Sequence, residues 1–199
     1  MKKRLLSMPC FYNLVQLVIA APMIKKMKDR LDESGVTTNP NIRILDVGCG
    51  PGEYSQWYSG EYTGIDIADQ YVMRASGKYP SSYFIKCDAS NFELHEKFDV
   101  GVSIGLYHHL SDNEALKSIE VVLRHLRPKS KFYVFDAILP LTFLKNPIGY
   151  ILRKLDRGKF VRTYGAYKKL LVSLGDCVSY CESDRGGFLD FIVYVVEKK

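Results

Sequence analysis

Ile44-Leu45-Asp46-Val47-Gly48-Cys49-Gly50-Pro51-Gly52 is the stretch whose reading decides the fold. The lead-in, Ile42 to Val47, has four aliphatic residues in six. Such a run predicts a strand buried on both faces, as in a parallel sheet. Three glycines follow at alternate positions. Glycine adopts backbone angles closed to other residues, and its missing side chain lets a ligand lie against the main chain. Pro51 suits the first turn of a helix. The local expectation is strand, tight turn and helix start, with a small molecule held against the turn.

The rest of the chain is compatible with one enzyme-sized domain. Its 199 residues can enclose one α/β core, and 47% apolar and 25% charged residues are ordinary for a globular protein. The net charge is +6. The five cysteines, at 10, 49, 87, 177 and 181, are odd in number and lack paired C-x-x-C spacing. Neither a zinc site nor a disulfide framework is indicated, no metal is expected, and reduced thiols in the cytoplasm are the plain reading. Near the start, Lys2-Lys3-Arg4 precede a moderately apolar run. Asn13 and Gln16 interrupt that run, which falls short of the ~20 apolar residues of a membrane span. Leu14, Val15, Val18 and Ile19 fall at helical spacing, so an amphipathic helix is favoured over a cleaved signal. Residues 1–35 are expected to form an N-terminal helical cap. It would either close over a ligand pocket, with Tyr12 as its polar contact, or simply cover the sheet.

The glycine spacing is G-x-G-x-G, not the G-x-G-x-x-G of dinucleotide-binding turns, and Asp46 stands near the strand end. An acid there would repel a pyrophosphate and favour an ammonium. The stretch resembles motif I of the class I methyltransferases that use S-adenosylmethionine (SAM). The resemblance is good over residues 42–136 and poor over 137–175. It implies an α/β fold, a Rossmann-like doubly wound seven-stranded sheet closed by a C-terminal antiparallel hairpin. It also implies that Asp46, Gly48, Cys49, Gly50 and Gly52 hold the methionyl end of SAM.

Further contacts follow down the chain. Tyr62–Ile65 is the expected second strand, with Asp66 at its end and 20 residues after Asp46. In this position the acid would accept hydrogen bonds from the ribose hydroxyls, beside Ile67; capping the next helix is the alternative. Tyr83–Cys87 is the third strand. The resemblance gives Asp88 the adenine amine and Ala89 the ring, with a helix cap again the alternative. The fourth strand spans Phe98 to Gly105 and contributes Ser103 to the cofactor side. It leads into Leu106-Tyr107-His108-His109-Leu110, close to where the methyl must sit. His108 is the candidate base, Tyr107 an orienting wall, and His109 a substrate contact. Ser111 to Glu114 offers a helix start, Arg127 to Ser130 a turn, and Lys131–Asp136 a fifth strand. A helix from 164 to 174 and the hairpin 177–196 complete the domain.

Residues 137–175 form a basic insert. Between 141 and 170 there are eight basic residues and one acid, a local balance of +7. A positive insert on the substrate side favours an anionic metabolite, a phospholipid head group or nucleic acid. Arg157, in Asp156-Arg157-Gly158, and Arg162 are the candidate substrate contacts. No Asn-Pro-Pro-Tyr and no Pro-Cys follows the fourth strand, which disfavours base-amine and cytosine C5 methylation. The expected function is methyl transfer from SAM to oxygen or nitrogen of a small, anionic metabolite or lipid. An RNA-modifying enzyme and a non-catalytic SAM-binding partner subunit are the alternatives. The expected location is the cytoplasm, with contact to the membrane surface, and no transmembrane segment.

Overall fold

The computed structural model describes residues 9–156 and 158–199, and the side chains of the first helix from Ile19 onward. Helix α1 (Pro9–Glu33) is followed by strand β1 (Arg43–Val47) and a 3₁₀ turn at Glu53–Trp57. Strand β2 (Glu61–Asp66), helix α2 (Asp69–Lys78), strand β3 (Tyr83–Lys86) and strand β4 (Phe98–Ile104) come next. Helix α3 (Asp112–His125) leads straight into strand β5 (Leu126–Leu139). Helix α4 (Pro147–Lys154), strand β6 (Arg162–Thr163) and helix α5 (Tyr164–Val172) make up the insert, and strands β7 (Val178–Gly186) and β8 (Leu189–Glu197) end the fold.

The sheet runs β3-β2-β1-β4-β5-β8-β7, with the short β6 pairing β5 off that path. Strands β1 to β5 are parallel, and β8 and then β7 add antiparallel. The doubly wound sheet of seven strands and its closing hairpin are thus as the sequence predicts. The eighth strand, β6, and helix α4 are additions in the insert. The chain order reverses at β1, which pairs β2 on one side and β4 on the other. Loops leave that point in opposite directions, opening a crevice at the strand tips.

Alternation along the strands builds two cores. On one face Leu45, Val47, Phe132, Val134, Ile192 and Tyr194 pack under Ile119 and Val122 of α3 and Tyr167 and Leu171 of α5. On the other, Ile44, Val100, Val102, Phe135, Phe191 and Val193 meet Met27 and Leu31 of α1. Met23, Met27 and Leu31 are spaced by one helical turn each, so the later half of α1 covers the sheet through one stripe.

Helix α3 begins with the expected box. Ser111 Oγ accepts from the Glu114 N–H, and Glu114 returns a carboxylate to the Ser111 N–H at 2.8 Å. The turn expected at Arg127–Ser130 takes another form. Those residues belong to β5, but the pairing with β4 jumps from Phe98–Leu126 to Val100–Lys131. The extra residues loop out as a bulge, with Lys129 at φ 65°. The C-terminal end holds the bulge, because Lys129 N–H donates to Lys198 and Lys198 N–H donates to Ser130.

Phe191 is fully buried where α1 meets the sheet. Phe191→Ala is expected to lower stability by about 3–5 kcal/mol, read as a reduced urea midpoint with an unchanged slope.

Candidate active site

Asp46 lies at the tip of β1 and is fully buried. Tyr62 donates its phenol to Asp46 Oδ2 at 2.5 Å, while Oδ1 has no partner among the described residues. Burial is the main force on this carboxyl, and nearby Asp66 adds to it; together they outweigh the Tyr62 hydrogen bond and push its pKa up to about 7. An acid that holds its proton in the fold more tightly than in the open chain costs stability as pH rises. That cost grows from about pH 4 and is complete above 7, at about 4 kcal/mol for this shift.

The glycine turn folds over this group. The N–H groups of Gly48 and Cys49 both donate to the Ile65 carbonyl, at 2.8 and 3.0 Å. Gly48 has φ 77°, and a Cβ there would strike Leu106 at 2.9 Å. Gly50 has φ 54°, and a Cβ there would meet nothing within 4 Å. The turn is therefore packed on one side and open on the other. Ser103, wholly buried on β4, donates to the Val47 carbonyl at 2.8 Å and holds the end of β1.

The acids of β2 and β3 stand further along the same edge. Asp66 accepts from the Gly50 N–H at 2.9 Å and from the Ala68 N–H at 2.8 Å, so it ties the turn to the start of α2. Ile67 beside it is exposed. Asp88 is exposed and accepts from the Ser90 N–H and hydroxyl, both at 2.8 Å. Ala89 is half-buried against the core.

Beyond β4 the chain makes a 3₁₀ turn, Tyr107–His109. Tyr107 points into the core. It is fully buried, its hydroxyl lies 3.1 Å from Ser118 on α3, and its ring meets Tyr194 edge-on. His108 turns toward β5. Its Nδ1 lies 2.5 Å from Asp136 Oδ1, and its Nε2 lies 3.6 Å from Asp156. Asp136 is fully buried and also accepts from the Tyr167 phenol at 2.6 Å. Burial pulls the His108 pKa down, but Asp136 and Asp156 outweigh it and raise it above the usual value. His109 is exposed, and its pKa is lowered by partial burial and by the charge of His108. Asp136, Asp156 and Asp66 oppose that shift without cancelling it.

The insert supplies the rest of this cluster. Phe160 N–H donates to the His108 carbonyl at 2.9 Å, and a Cβ on Gly158 would lie 2.2 Å from the His108 ring. Only glycine lets the chain pass this close. Arg153 is buried and reaches Asp156 at 3.3 Å and the Asp190 carbonyl at 3.1 Å. Arg162 is buried too. It donates to Asp112, to the carbonyls of Tyr107 and Leu110 at 2.8 and 2.7 Å, and more distantly to Phe160. Its fork is filled by the protein's own groups. Arg157 and the Tyr12 side chain lie outside the described residues.

A family model described as "Methyltransferase domain" matches residues 44–129, the strands and turns that carry Asp46, Asp66, Asp88 and His108. The malonyl-[acyl-carrier protein] O-methyltransferase of Paenibacillus sp. is 25% identical over 190 residues, covering 85% of this chain and 67% of that one. The tRNA (carboxymethyluridine(34)-5-O)-methyltransferase of Saccharomyces cerevisiae is 36% identical over 87 residues, covering 43% of this chain and 30% of that one. The magnesium protoporphyrin IX methyltransferase of Synechocystis PCC 6803, solved with S-adenosylhomocysteine (SAH) bound, superposes with a TM-score of 0.67 at 18% identity. It covers 93% of this chain and 87% of that one. Residues 44–129 are therefore similar to a methyltransferase domain, and the chain has the fold of a class I SAM-dependent methyltransferase. It spans between 22% and 67% of the lengths of the curated relatives it matches.

The fold implies SAM as a ligand, and the residues present fit one end of it. The unmatched Asp46 oxygen suits the donor's ammonium, and the open side of Gly50 leaves room for its chain. The sequence reading missed Tyr62, Asp136, Arg153 and Tyr167. Asp136 carried the same signal as the other acids, a carboxylate at the end of an apolar strand. Tyr62, Arg153 and Tyr167 carried no local signal.

Two outcomes are expected for this site. Arg162→Met should lower stability by about 2–4 kcal/mol in urea titrations, by stranding the Tyr107 and Leu110 carbonyls. For His108, a raised pKa means its contribution is fully present below about pH 6.5 and is lost as pH rises through the folded value. The stability gap between the native chain and His108→Asn should therefore narrow on going from pH 6 to 8.5 in thermal melts.

Proposed function

We propose that this chain transfers the methyl of SAM to oxygen or nitrogen of a small anionic metabolite or lipid, with a carboxylate oxygen as the preferred acceptor. The observation that carries the donor half is the buried Asp46 carboxyl with its unmatched oxygen, at the base of a glycine turn that is open at Gly50. Asp46 would hold the donor's ammonium, Asp66 its ribose hydroxyls and Asp88 its adenine amine. Gly48, Cys49 and Gly52 shape the turn, and Ile67 and Ala89 flank the purine. Ser103 positions the tip of β1 without touching the donor.

SAM, when bound, supplies a sulfonium-activated methyl, so the protein's part is alignment and exclusion of water. His108 is held between two carboxylates that favour its protonated form; in this reading it is a positive charge that orients the acceptor. His109, neutral and exposed, is the acceptor contact and the base for any acceptor that must lose a proton. A carboxylate needs no such base. Arg162 and Tyr107 act as positioning residues: the first fixes the turn that carries both histidines, and the second seats that turn in the core. Two relatives favour an O-methyl acceptor bearing a carboxyl, the malonyl-carrier enzyme and the carboxymethyluridine enzyme. The basic insert favours the same charge.

The test is calorimetry with SAM and SAH, followed by labelled-methyl transfer over small-acid, lipid and RNA fractions. Label in the acid or lipid fraction is expected. Label in RNA alone would overturn the acceptor class, and no heat with either ligand would overturn the donor site. Asp66→Ala should weaken SAH binding by about 1–3 kcal/mol. Because Asp46 must give up its proton to face an ammonium, affinity should rise with pH by up to about tenfold per unit between pH 5.5 and 7. Asp46→Asn should bind weakly and show no such slope.

A further inference from the structure

Helix α4 is amphipathic the wrong way round. Its inward positions, one turn apart, are Gly149 and Arg153, both buried. A Cβ on Gly149 would lie 2.4 Å from the Phe188 carbonyl, so the helix backbone rests directly on the turn between β7 and β8. Asn146 fastens the start, accepting from the Gly149 N–H at 2.9 Å and donating to Phe188 at 3.0 Å. The outward stripe, at i, i+3 and i+7, is Ile148, Ile151 and Leu155, exposed by 48, 50 and 59%. The loop before the helix adds Leu141 and Leu144, exposed by 73 and 87%, together with Phe143.

Charge tells what such a face fits. From Leu141 to Leu155 there is no acid, while Lys145 and Lys154 are exposed beside the apolar residues, with Lys159 just beyond. Leu141 and Lys145 also border a cleft of about 660 Å³ whose lining includes Asp184 and Asp190, each already paired with a cation of the fold. Aliphatic side chains rimmed by lysines match the boundary of an anionic bilayer, where the apolar groups enter by ~5–10 Å and the lysines meet phosphate. Single-stranded RNA would call for stacking aromatics, and this face is mainly aliphatic.

We propose that residues 141–155 dock this protein on an anionic lipid bilayer. The contact is made without SAM, so its test is independent of methyl transfer. The full chain should co-sediment with phosphatidylcholine vesicles containing phosphatidylglycerol, much less with phosphatidylcholine alone, and less as salt is raised. Ile148→Ser, Ile151→Ser and Leu155→Ser combined should lower binding at least about tenfold with calorimetric SAH binding intact. Lys145→Glu with Lys154→Glu should abolish the preference for anionic vesicles. Leu144→Trp in a Trp57→Phe background gives a second readout, since its emission should shift to the blue on vesicle addition even if the triple variant folds poorly. Equal binding to both vesicles, or none, would overturn the proposal. So would a triple variant that binds vesicles as the native chain does, loses only self-association, or loses only RNA binding.

Discussion

A carboxylate held out of water at the tip of β1, one oxygen on Tyr62 and the other unmatched, sets terms for everything around it. Such a group costs several kcal/mol unless a cation or a proton meets it. Among the described residues, neither a lysine nor an arginine pairs with it. The fold surrounds Asp46 with phenols instead: burial and the Asp46 charge push Tyr54 up to about 12 and Tyr58 well above its usual value, so both stay neutral. The site is thereby kept short of one positive charge. The sheet explains how this can persist. Pairing on both sides of β1 fixes its backbone, and Gly64 opposite Asp46 leaves space for Cys49 to pack. Burial favours the protonated carboxyl in the empty site, a preference that a cation at the unmatched oxygen would reverse.

The second cluster solves its charges internally. His108 and Arg153 face Asp136 and Asp156, and each base lies within reach of a carboxylate. These four come from the turn after β4, the end of β5 and helix α4 with the loop beyond it. Their mutual attraction draws the insert onto the turn. Once there, Gly158 and Phe160 close over the His108 ring and backbone, and Arg162 binds the turn's carbonyls from below. Both histidines are adjacent in sequence, yet one is locked and the other is free. The difference comes from Asp136, 28 residues on, and not from anything next to them.

That contrast marks what the sequence made legible. The passage from β1 through the glycine turn is local: aliphatic run, glycine spacing and strand-end acid sit within ten residues, so each constrains the others. The strands and the closing hairpin were readable for the same reason, through period and turn residues. The looped-out Arg127–Ser130 segment was readable as a break but not as a bulge, because Lys198, near the C-terminus, decides its shape. Arg162 reads as a substrate contact when counted as a charge in a basic insert. Only its tertiary position reveals that its donors already serve Asp112 and main-chain carbonyls. Tyr107 likewise lies among candidate polar residues in sequence, whereas its ring is a core group whose hydroxyl needed just one partner, Ser118.

Helix α4 joins the two themes. Its inner face carries a guanidinium that both the Asp190 carbonyl and Asp156 accept from, so the helix cannot turn over to hide its aliphatic stripe without leaving the partly buried Asp156 short of its cation. The outward display of Ile148, Ile151 and Leu155 is therefore not a packing accident that a small rotation could repair. It is enforced from within, by the same Asp156 that faces His108. Removing Arg153 would release the helix and disturb the histidine together, because the charge balance of one is the anchor of the other.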